Sequence, residues 1–176
     1  MNLADEIKNA IRDVPDFPKP GILFKDITPI FYDQTLCNKI TEEFERLLAP
    51  VKPDVIVGVE SRGFLFGILL ANKMNLPFVL VRKAGKLPYT TISQEYSLEY
   101  GTAKIEMHTD SIKKGAKVVI HDDLLATGGT AAATADLIKQ FGAEVSAFTF
   151  IVGLDFLGGK EKLNKHTNNI QCLVHY

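Results

Sequence analysis

The sequence predicts an α/β protein with a mainly parallel, twisted sheet covered by helices on both faces. Continuous apolar runs of strand length recur at DVIVGV (54–59), FVLV (78–81) and KVVIH (117–121), as is typical of strands buried on both faces. Segments of helical length, such as GFLFGILLANKMN (63–75), alternate with these runs. This alternation favours a parallel sheet, in which ligands bind beyond the carboxyl ends of the strands.

The remaining segments extend this pattern. Apolar residues at helical spacing predict helices over 2–12 and 36–49, whereas three prolines prevent a continuous helix over 14–21. Residues 83–93 lack a clear period and indicate a long loop, with possible strands at TISQEYSLEYG (91–101) and KIEMH (104–108) beside it. Further along the chain we expect a helix over 130–141 followed by Gly142 as its C′ residue, and strands within 143–153 and 172–175.

Composition bounds the class of protein. At 176 residues, 46% hydrophobic and 23% charged, the chain predicts a single domain, 1–176, of a globular protein. A net charge of −1 gives no reason to expect nonspecific binding to nucleic acid or to a membrane. The charged N-terminus does not resemble a signal peptide, and the longest apolar stretch is too short to cross a bilayer, so we expect a cytoplasmic protein. Cys37 and Cys172 match no metal-ligand spacing; free thiols are favoured over a disulfide.

The stretch VVIHDDLLATGGTAAATADLI (118–138) contains the strongest functional pattern. Asp122 and Asp123 follow an apolar run, and a glycine turn then leads into a helix for which Thr130 is the expected N-cap. Converging amides at a helix N-terminus bind phosphate, and adjacent acids suit a sugar diol or a metal, so a ribose 5-phosphate fits both features. The alternative is a solvated strand end followed by an ordinary turn. The P-loop spacing is absent.

Several motifs carry a resemblance to a known family. Residues 118–130 resemble the phosphoribosyl pyrophosphate signature of type I phosphoribosyltransferases. PDFPKPGILFKDITP (15–29), GVESRGFLFG (58–67), RKAGKLP (82–88) and SLEYG (97–101) resemble motifs of the adenine phosphoribosyltransferase family, in the same order and over nearly the whole chain. The resemblance implies the type I phosphoribosyltransferase fold with a small N-terminal hood over the base pocket (1–34) and a flexible catalytic loop region (82–107).

The resemblance also implies an activity. Adenine and phosphoribosyl pyrophosphate would give AMP and pyrophosphate, a purine-salvage reaction that depends on Mg²⁺. The metal would be held mainly by substrate oxygens, and whether Asp122 and Asp123 also contact it stays open. A homodimer is expected, because in a dimeric family member some side chains of the basic loop reach the pyrophosphate of the neighbouring subunit.

Residue roles follow from the same resemblance. Glu99 would be the general acid or base at the purine imidazole nitrogen, Tyr100 would close over the ribosyl centre, and Arg62 would act at the pyrophosphate. The other implied binding residues hold the 5′-phosphate (Ala126, Thr127, Gly128, Gly129, Thr130), the ribose (Asp122, Asp123), the pyrophosphate (Glu60, Ser61, Arg62, Arg82, Lys83, Lys86) and adenine (Leu23, Phe24, Lys25). A strained or cis peptide is expected at Glu60–Ser61.

Two positions depart from the family pattern, because Tyr89 and Lys25 stand where members commonly have glycine and arginine. Without the resemblance, the basic and acidic residues of these loops would be solvated surface, and Phe24 would be a core aromatic. His121 is expected to be a hydrogen-bonded strand residue and not a catalytic group. Two rival functions remain: transfer to another purine base, and a nucleotide-sensing module without turnover, although the chain has no spare length or basic helix for a DNA-binding domain.

Overall fold

The structure is a computed structural model that describes residues 2–97 and 101–176. The chain divides into two compact units, Met1–Glu43 and Phe44–Tyr176. No helix in the described part of the chain is both long and apolar enough to span a membrane. Cys37 and Cys172 are free thiols, as the sequence favours.

The first unit is a helix, a hairpin and a short connection. Its elements are α1 (Leu3–Ala10), β1 (Arg12–Pro15), β2 (Leu23–Asp26), a 3₁₀ turn (Thr28–Tyr32) and the first part of α2 (Gln34–Leu48). Asn2 caps α1 by accepting the Asp5 N–H at 2.9 Å, and Ile7 is fully buried. Strands β1 and β2 pair antiparallel, so the 14–21 segment is non-helical, as the prolines predict.

The second unit is built on one sheet. Its elements are β3 (Val55–Val59), α3 (Gly63–Lys73), β4 (Phe78–Lys83), β5 (Thr91–Ser97), β6 (Thr102–His108), β7 (Lys117–Leu125), α4 (Gly129–Gln140), β8 (Glu144–Gly153), a 3₁₀ turn (Asp155–Leu157), α5 (Gly159–Leu163) and β9 (Ile170–His175). The strand order is β5-β6-β4-β3-β7-β8-β9. Strands β4, β3, β7, β8 and β9 run parallel to one another. Strand β6 pairs antiparallel with β4 on one side and with β5 on the other. The predicted fold class is confirmed.

Helices cover both faces of this sheet. The α4 alanines belong to one apolar core with Val118 and Ile120 of β7, whereas α3 packs beside His121 on the opposite face. This packing needs glycine: a Cβ on Gly58 of β3 would collide with the Phe78 ring, and one on Gly63 would lie 2.8 Å from the His121 carbonyl oxygen. The start of α3 is therefore held directly against β7.

The sequence misplaces two boundaries and misses one helix. The predicted loop over 83–93 is shorter, because β4 continues to Lys83 and β5 begins at Thr91 by pairing with His108. Strand β7 does not stop at His121 but runs to Leu125, since Leu124 and Leu125 pair with β8. Helix α5 was not predicted. These boundaries depend on pairing with distant strands, which local pattern does not reveal.

Candidate active site

The turn between β7 and α4 forms an anion-binding cradle, defined here as residues 126–130. Gly128 has φ +73°, and the first hydrogen bond of α4 runs from the Ala132 N–H to the Gly128 carbonyl oxygen at 2.9 Å. The amides that precede Ala132 in α4 have no partner within the helix, and they lie at its positive end. A cavity of about 100 Å³, lined by this turn, Asp122 and Phe150, opens at that point. The cradle suits a phosphate group.

Thr130 is not the N-cap, contrary to the sequence-based expectation. Gly128 takes that position, because the helix starts one residue earlier at Gly129 and no side chain caps it. The Thr130 hydroxyl instead lies 3.1 Å from the Tyr96 hydroxyl of β5. Thr130 thus belongs to the first turn of the helix, where its hydroxyl can still face a ligand.

A second glycine, Gly159, packs directly against the backbone of the cradle. A Cβ on Gly128 would lie 2.8 Å from the Gly159 carbonyl oxygen. A Cβ on Gly159 would collide with the Ala126 carbonyl oxygen and lie 3.1 Å from the Gly128 nitrogen. The first residue of α5 and the cradle backbone are therefore in contact, and the position needs a residue without a side chain.

Asp122 and Asp123 lie inside β7 and not after it. Asp123 is only 4% exposed, so the alternative of a solvated strand end is wrong. Asp122 keeps an edge in contact with solvent, and its Oδ1 accepts the Asp123 N–H at 2.9 Å. Two carboxyl groups thus share a largely enclosed place next to the cradle.

Arg62 is the cation beside this pair. Its Nε lies 2.8 Å from the buried Asp123 Oδ2, so the two side chains form an ion pair. Burial and then the charge of Asp123 raise the pKa of Asp122 well above its usual range. Burial also raises the pKa of Asp123, against the opposing effect of Arg62. A buried carboxyl pair whose pKa values are raised, with a guanidinium beside it, is a candidate functional site.

The loop after β3 holds the predicted pyrophosphate residues Glu60, Ser61 and Arg62. The Glu60–Ser61 peptide bond is cis, one of the forms that the resemblance implies. The Glu60 carboxylate accepts the Lys83 N–H at 2.8 Å and pairs with Arg82 at 3.2 Å. Burial raises its pKa, but the Lys83 amide and the Arg82 guanidinium outweigh this and keep it below the usual value. Because a carboxylate repels an anion, Glu60 can offer a bound anion only its backbone.

The basic residues Arg82, Lys83 and Lys86 form the other side of this region. Arg82 is half-buried and donates to the Lys86 carbonyl oxygen at 3.2 Å, while the side chains of Lys83 and Lys86 are exposed. The structure brings Glu60 and Arg82 together and leaves two ammonium groups facing solvent. It does not show them converging on Arg62.

The predicted adenine residues Leu23, Phe24 and Lys25 lie on β2 in the first unit. Leu23 is half exposed, and the Phe24 ring packs edge-on to Phe17 at 5.1 Å between centroids. Lys25 is buried, with its Nζ 2.6 Å from Asp13 Oδ1. An ion pair within its own hairpin therefore engages the Lys25 side chain. Glu99 and Tyr100 lie outside the described residues.

Sequence reasoning missed four residues that the structure brings into this region. They are Tyr96, Glu106, Thr149 and Gly159. The Tyr96 hydroxyl bonds that of Thr130, and the Thr149 hydroxyl bonds His121. Glu106 accepts hydrogen bonds from the amides of Lys86 and Leu87, and Gly159 contacts the cradle backbone. Each acts on a residue far away in the chain. The one signal available was the glycine pair 158–159, which resembles many ordinary turns.

His121 is a fully buried strand residue whose Nδ1 lies 3.0 Å from Thr149 Oγ1, as expected from the sequence. Burial lowers its pKa from 6.5 to about 3. The ring is thus neutral in the folded protein, whereas the unfolded chain takes up a proton below pH 6.5. A lowered folded-state pKa means that stability is lost as the pH falls from 6.5 towards 3.

We therefore expect His121 to contribute up to about 1.4 kcal/mol per pH unit to the acid loss of unfolding free energy. Urea unfolding between pH 6.5 and 5, above the range of most carboxylates, would measure this slope. His121→Asn, although less stable at neutral pH, should show a shallower slope. Equal slopes in both proteins would contradict the assignment.

Comparison with known proteins defines the class first. The family model of the phosphoribosyl transferase domain matches residues 32–174, which is most of the chain. The matched range includes the cradle, both acids and the basic loop. The fold is that of the phosphoribosyltransferase class, to which the chain belongs.

More similar relatives narrow the class. The adenine phosphoribosyltransferase of Cytophaga hutchinsonii is 51% identical over 174 residues, covering 99% of this chain and 96% of the relative. The crystal structure of the Thermoanaerobacter pseudethanolicus adenine phosphoribosyltransferase superposes with a TM-score of 0.95 at 47% identity, covering 99% of this chain and all of the other. The chain belongs to the adenine phosphoribosyltransferase family.

A third relative was solved with ligands. The Saccharomyces cerevisiae adenine phosphoribosyltransferase superposes with a TM-score of 0.91 at 43% identity, covering 97% of this chain and 98% of the other. Its crystal structure is a complex with adenine and 2,5-dideoxy-2,5-imino-altritol 1,6-bisphosphate.

Proposed function

We propose that this chain transfers the 5-phosphoribosyl group from phosphoribosyl pyrophosphate to adenine, giving AMP and pyrophosphate in a Mg²⁺-dependent purine-salvage reaction. One observation carries the proposal: an open amide cradle at 126–130 adjoins the buried Asp123 carboxylate, which pairs with Arg62 at 2.8 Å. Family membership and the adenine complex of the yeast relative support the choice of base. A cytoplasmic setting belongs to the proposal, since free cysteines fit a reducing compartment.

In the proposal, the cradle and the two acids bind different groups of the phosphorylated sugar. The amides and hydroxyls of 126–130 bind the 5′-phosphate, and Asp122 and Asp123 accept hydrogen bonds from the ribose hydroxyls. The negative charge of the acids also favours positive charge that develops on the sugar as its bond to pyrophosphate breaks. The phosphate is remote from the reacting carbon, so its binding energy serves to position that carbon.

Positive groups meet the departing pyrophosphate. In the proposal Arg62, Lys83 and Lys86 bind it with their side chains, Arg82 holds the loop, and Glu60 and Ser61 contribute backbone. The acid pair would fit Mg²⁺, because Asp122 keeps an exposed edge and hard cations prefer carboxylate oxygens. No cluster of three metal-ligating side chains occurs in the described residues. In the proposal, substrate oxygens supply most of the metal ligands. Bound Mg²⁺ supplies positive charge to the pyrophosphate oxygens.

Adenine recognition is assigned to β2. The Phe24 ring stacks on the base, and the backbone groups of Leu23 and Lys25 pair with the purine edge. Adenine presents an acceptor nitrogen beside a donor amine, and oxopurines present the reverse, so a fixed backbone pair rejects them. Glu99 and Tyr100 complete the proposal as the acid–base group and the group that closes over the ribosyl centre.

The experiment that tests this function is a steady-state assay of AMP formation. Adenine, hypoxanthine and guanine are compared as acceptors with phosphoribosyl pyrophosphate, in Mg²⁺ and after chelation. We expect turnover with adenine alone, lost on chelation. Turnover with an oxopurine would assign the chain to another specificity, and nucleotide binding without turnover would assign it to a sensing module.

Tyr96→Phe tests how the cradle is held. This change removes the hydroxyl that bonds Thr130 and leaves the ring in place, so Thr130 loses its fixed orientation. We expect the KM for phosphoribosyl pyrophosphate to rise about three- to tenfold, the effect of one neutral hydrogen bond, with the KM for adenine unchanged. Tyr32→Phe, at a side chain that is 77% exposed, is the matched control. An unchanged KM for phosphoribosyl pyrophosphate would show that Tyr96 does not orient Thr130.

A homodimer is part of the proposal and has structural support. Leu65, Ile68 and Leu69 lie at helical spacing on α3, and each leaves 37–50% of its surface exposed. Leu80 is 38% exposed and pairs with Gly58. A Cβ on Gly58 would lie 3.2 Å from the carbonyl oxygen of Gly63 in α3, so Leu80 lies on the α3 face of the sheet. Such an apolar surface favours burial against a second copy. Sedimentation should show a dimer that Ile68→Glu converts to monomer, and a monomeric wild type would refute this part.

A further inference from the structure

Glu106 of β6 is a buried charge that the proposed reaction does not use. It is 6% exposed, and its Oε1 accepts the N–H groups of Lys86 and Leu87, both at 3.0 Å. Burial raises its pKa, but the amides of Leu87, Gly85 and Lys86 outweigh this effect and hold it below the usual value. The carboxylate is therefore ionised at neutral pH and bound to one short turn.

That turn carries an exposed cation. Gly85 has φ +81°, and no atom of the described residues lies within 4 Å of the position that a Cβ would take. The Lys86 side chain is exposed. An open turn of this kind orders only where its backbone is held. The Glu106 carboxylate accepts a hydrogen bond from the Lys86 N–H, and Arg82 donates one to the Lys86 carbonyl oxygen at 3.2 Å.

The holding groups form a chain of alternating charge. Glu60 pairs with Arg82, Arg82 bonds the Lys86 carbonyl oxygen, and Glu106 bonds the Lys86 amide. Hydrogen bonds to a carboxylate are stronger than neutral ones, so a single buried acid can fix the two consecutive amides of Lys86 and Leu87. The same negative charge offsets repulsion among the neighbouring cations.

We infer that Glu106 is a positioning residue for the pyrophosphate end of the substrate: its carboxylate fixes the 85–87 turn so that Lys86 is presented to the anion. The inference rests on the proposed function, because that function supplies the pyrophosphate. Glu106 itself touches no substrate. Its effect should therefore pass through Lys86 and should fall on ligands that carry pyrophosphate.

The test compares ligands with and without pyrophosphate. Glu106→Gln keeps an acceptor oxygen for the two amides but removes the charge. We expect the KM for phosphoribosyl pyrophosphate and the Kd of pyrophosphate to rise about tenfold, as when charge-assisted hydrogen bonds become neutral ones. The Kd of AMP, which lacks pyrophosphate, and the KM for adenine should stay within about twofold. Glu144→Gln, at an exposed glutamate at the start of β8, is the control and should change none of these constants.

A double-mutant cycle with Lys86→Ala decides whether Glu106 acts on pyrophosphate binding through Lys86. If Glu106 acts through Lys86, adding Glu106→Gln to Lys86→Ala changes the pyrophosphate constant no further. If the two substitutions multiply each other's effect on pyrophosphate binding, or if Glu106→Gln weakens the binding of AMP and of pyrophosphate equally, the inference is overturned. Glu106 is then a general structural residue. If Glu106→Gln does not fold, Glu106→Asp, which keeps the charge but shortens its reach, carries the same test. A wild type without turnover would refute the proposed function instead, since binding of pyrophosphate and AMP is measured separately.

Discussion

Replacing Asp122 by asparagine is expected to raise the thermal stability of the ligand-free protein while removing most of its activity. Burial and the adjacent Asp123 raise the pKa of Asp122, so ionising it costs free energy in the folded state. Asparagine is isosteric, has no charge, and its Oδ1 still accepts the Asp123 N–H. We expect Tm to rise by about 2–4 °C, the shift produced by roughly 1 kcal/mol in a chain of this size.

The pH dependence of this gain has a definite sign. A carboxyl whose folded-state pKa is raised destabilises the fold as the pH rises above its ordinary value near 3.8. The Tm difference between variant and wild type should thus be small near pH 4 and grow towards neutral pH. Asp110→Asn, at an exposed position, is the control. A variant that is less stable than wild type at neutral pH would contradict the account.

The same variant should lose activity. A neutral amide cannot replace a carboxylate toward the ribose hydroxyls and the cationic sugar, and each hydrogen bond to a charged group contributes about 1.5–3 kcal/mol. We expect kcat/KM for phosphoribosyl pyrophosphate to fall about 100-fold, which corresponds to about 3 kcal/mol. Opposite changes in stability and activity would mark Asp122 as a group kept for function.

Gly159→Ala is expected to disable the cradle without touching the ligand. The added methyl group would collide with the Ala126 carbonyl oxygen and press on the Gly128 nitrogen, so the cradle backbone must move. Overpacking of this kind costs about 1–3 kcal/mol, and the moved amides no longer converge. We expect a lower Tm and a Kd of AMP at least about tenfold higher, since phosphate binding depends on that convergence.

The control for this prediction is the next residue. Lys160→Ala removes an exposed side chain from α5 and leaves Gly159 unchanged, so Tm and AMP affinity should match wild type. Calorimetric titration with AMP measures both variants. Wild-type affinity in Gly159→Ala would show that the cradle does not depend on the approach of α5.

Local pattern was enough for the parts of this fold that depend on local chemistry. Continuous apolar residues identified β3, β4 and the first part of β7, and the glycine pair at 128–129 marked the turn before α4. The sequence predicts Asp122 and Asp123 as site residues, but their polarity does not show that the strand continues through them. Pairing with β8 keeps that segment extended, and no local signal reports such pairing.

The supporting contacts of the site could not be predicted for a related reason. Tyr96 meets Thr130 from 34 residues away, and Glu106 meets Lys86 from 20 residues away. In the sequence each reads as one residue of an amphipathic strand. Only the antiparallel pairing of β5 with β6, and of β6 with β4, brings these side chains to the loops they hold.

A crystal structure of the protein with AMP would decide whether the cradle holds the nucleotide. We expect the 5′-phosphate in the 126–130 cradle, bound by main-chain amides, with the ribose hydroxyls against Asp122 and Asp123. A nucleotide bound elsewhere, with the cradle empty and no contact to either acid, would contradict the proposed function.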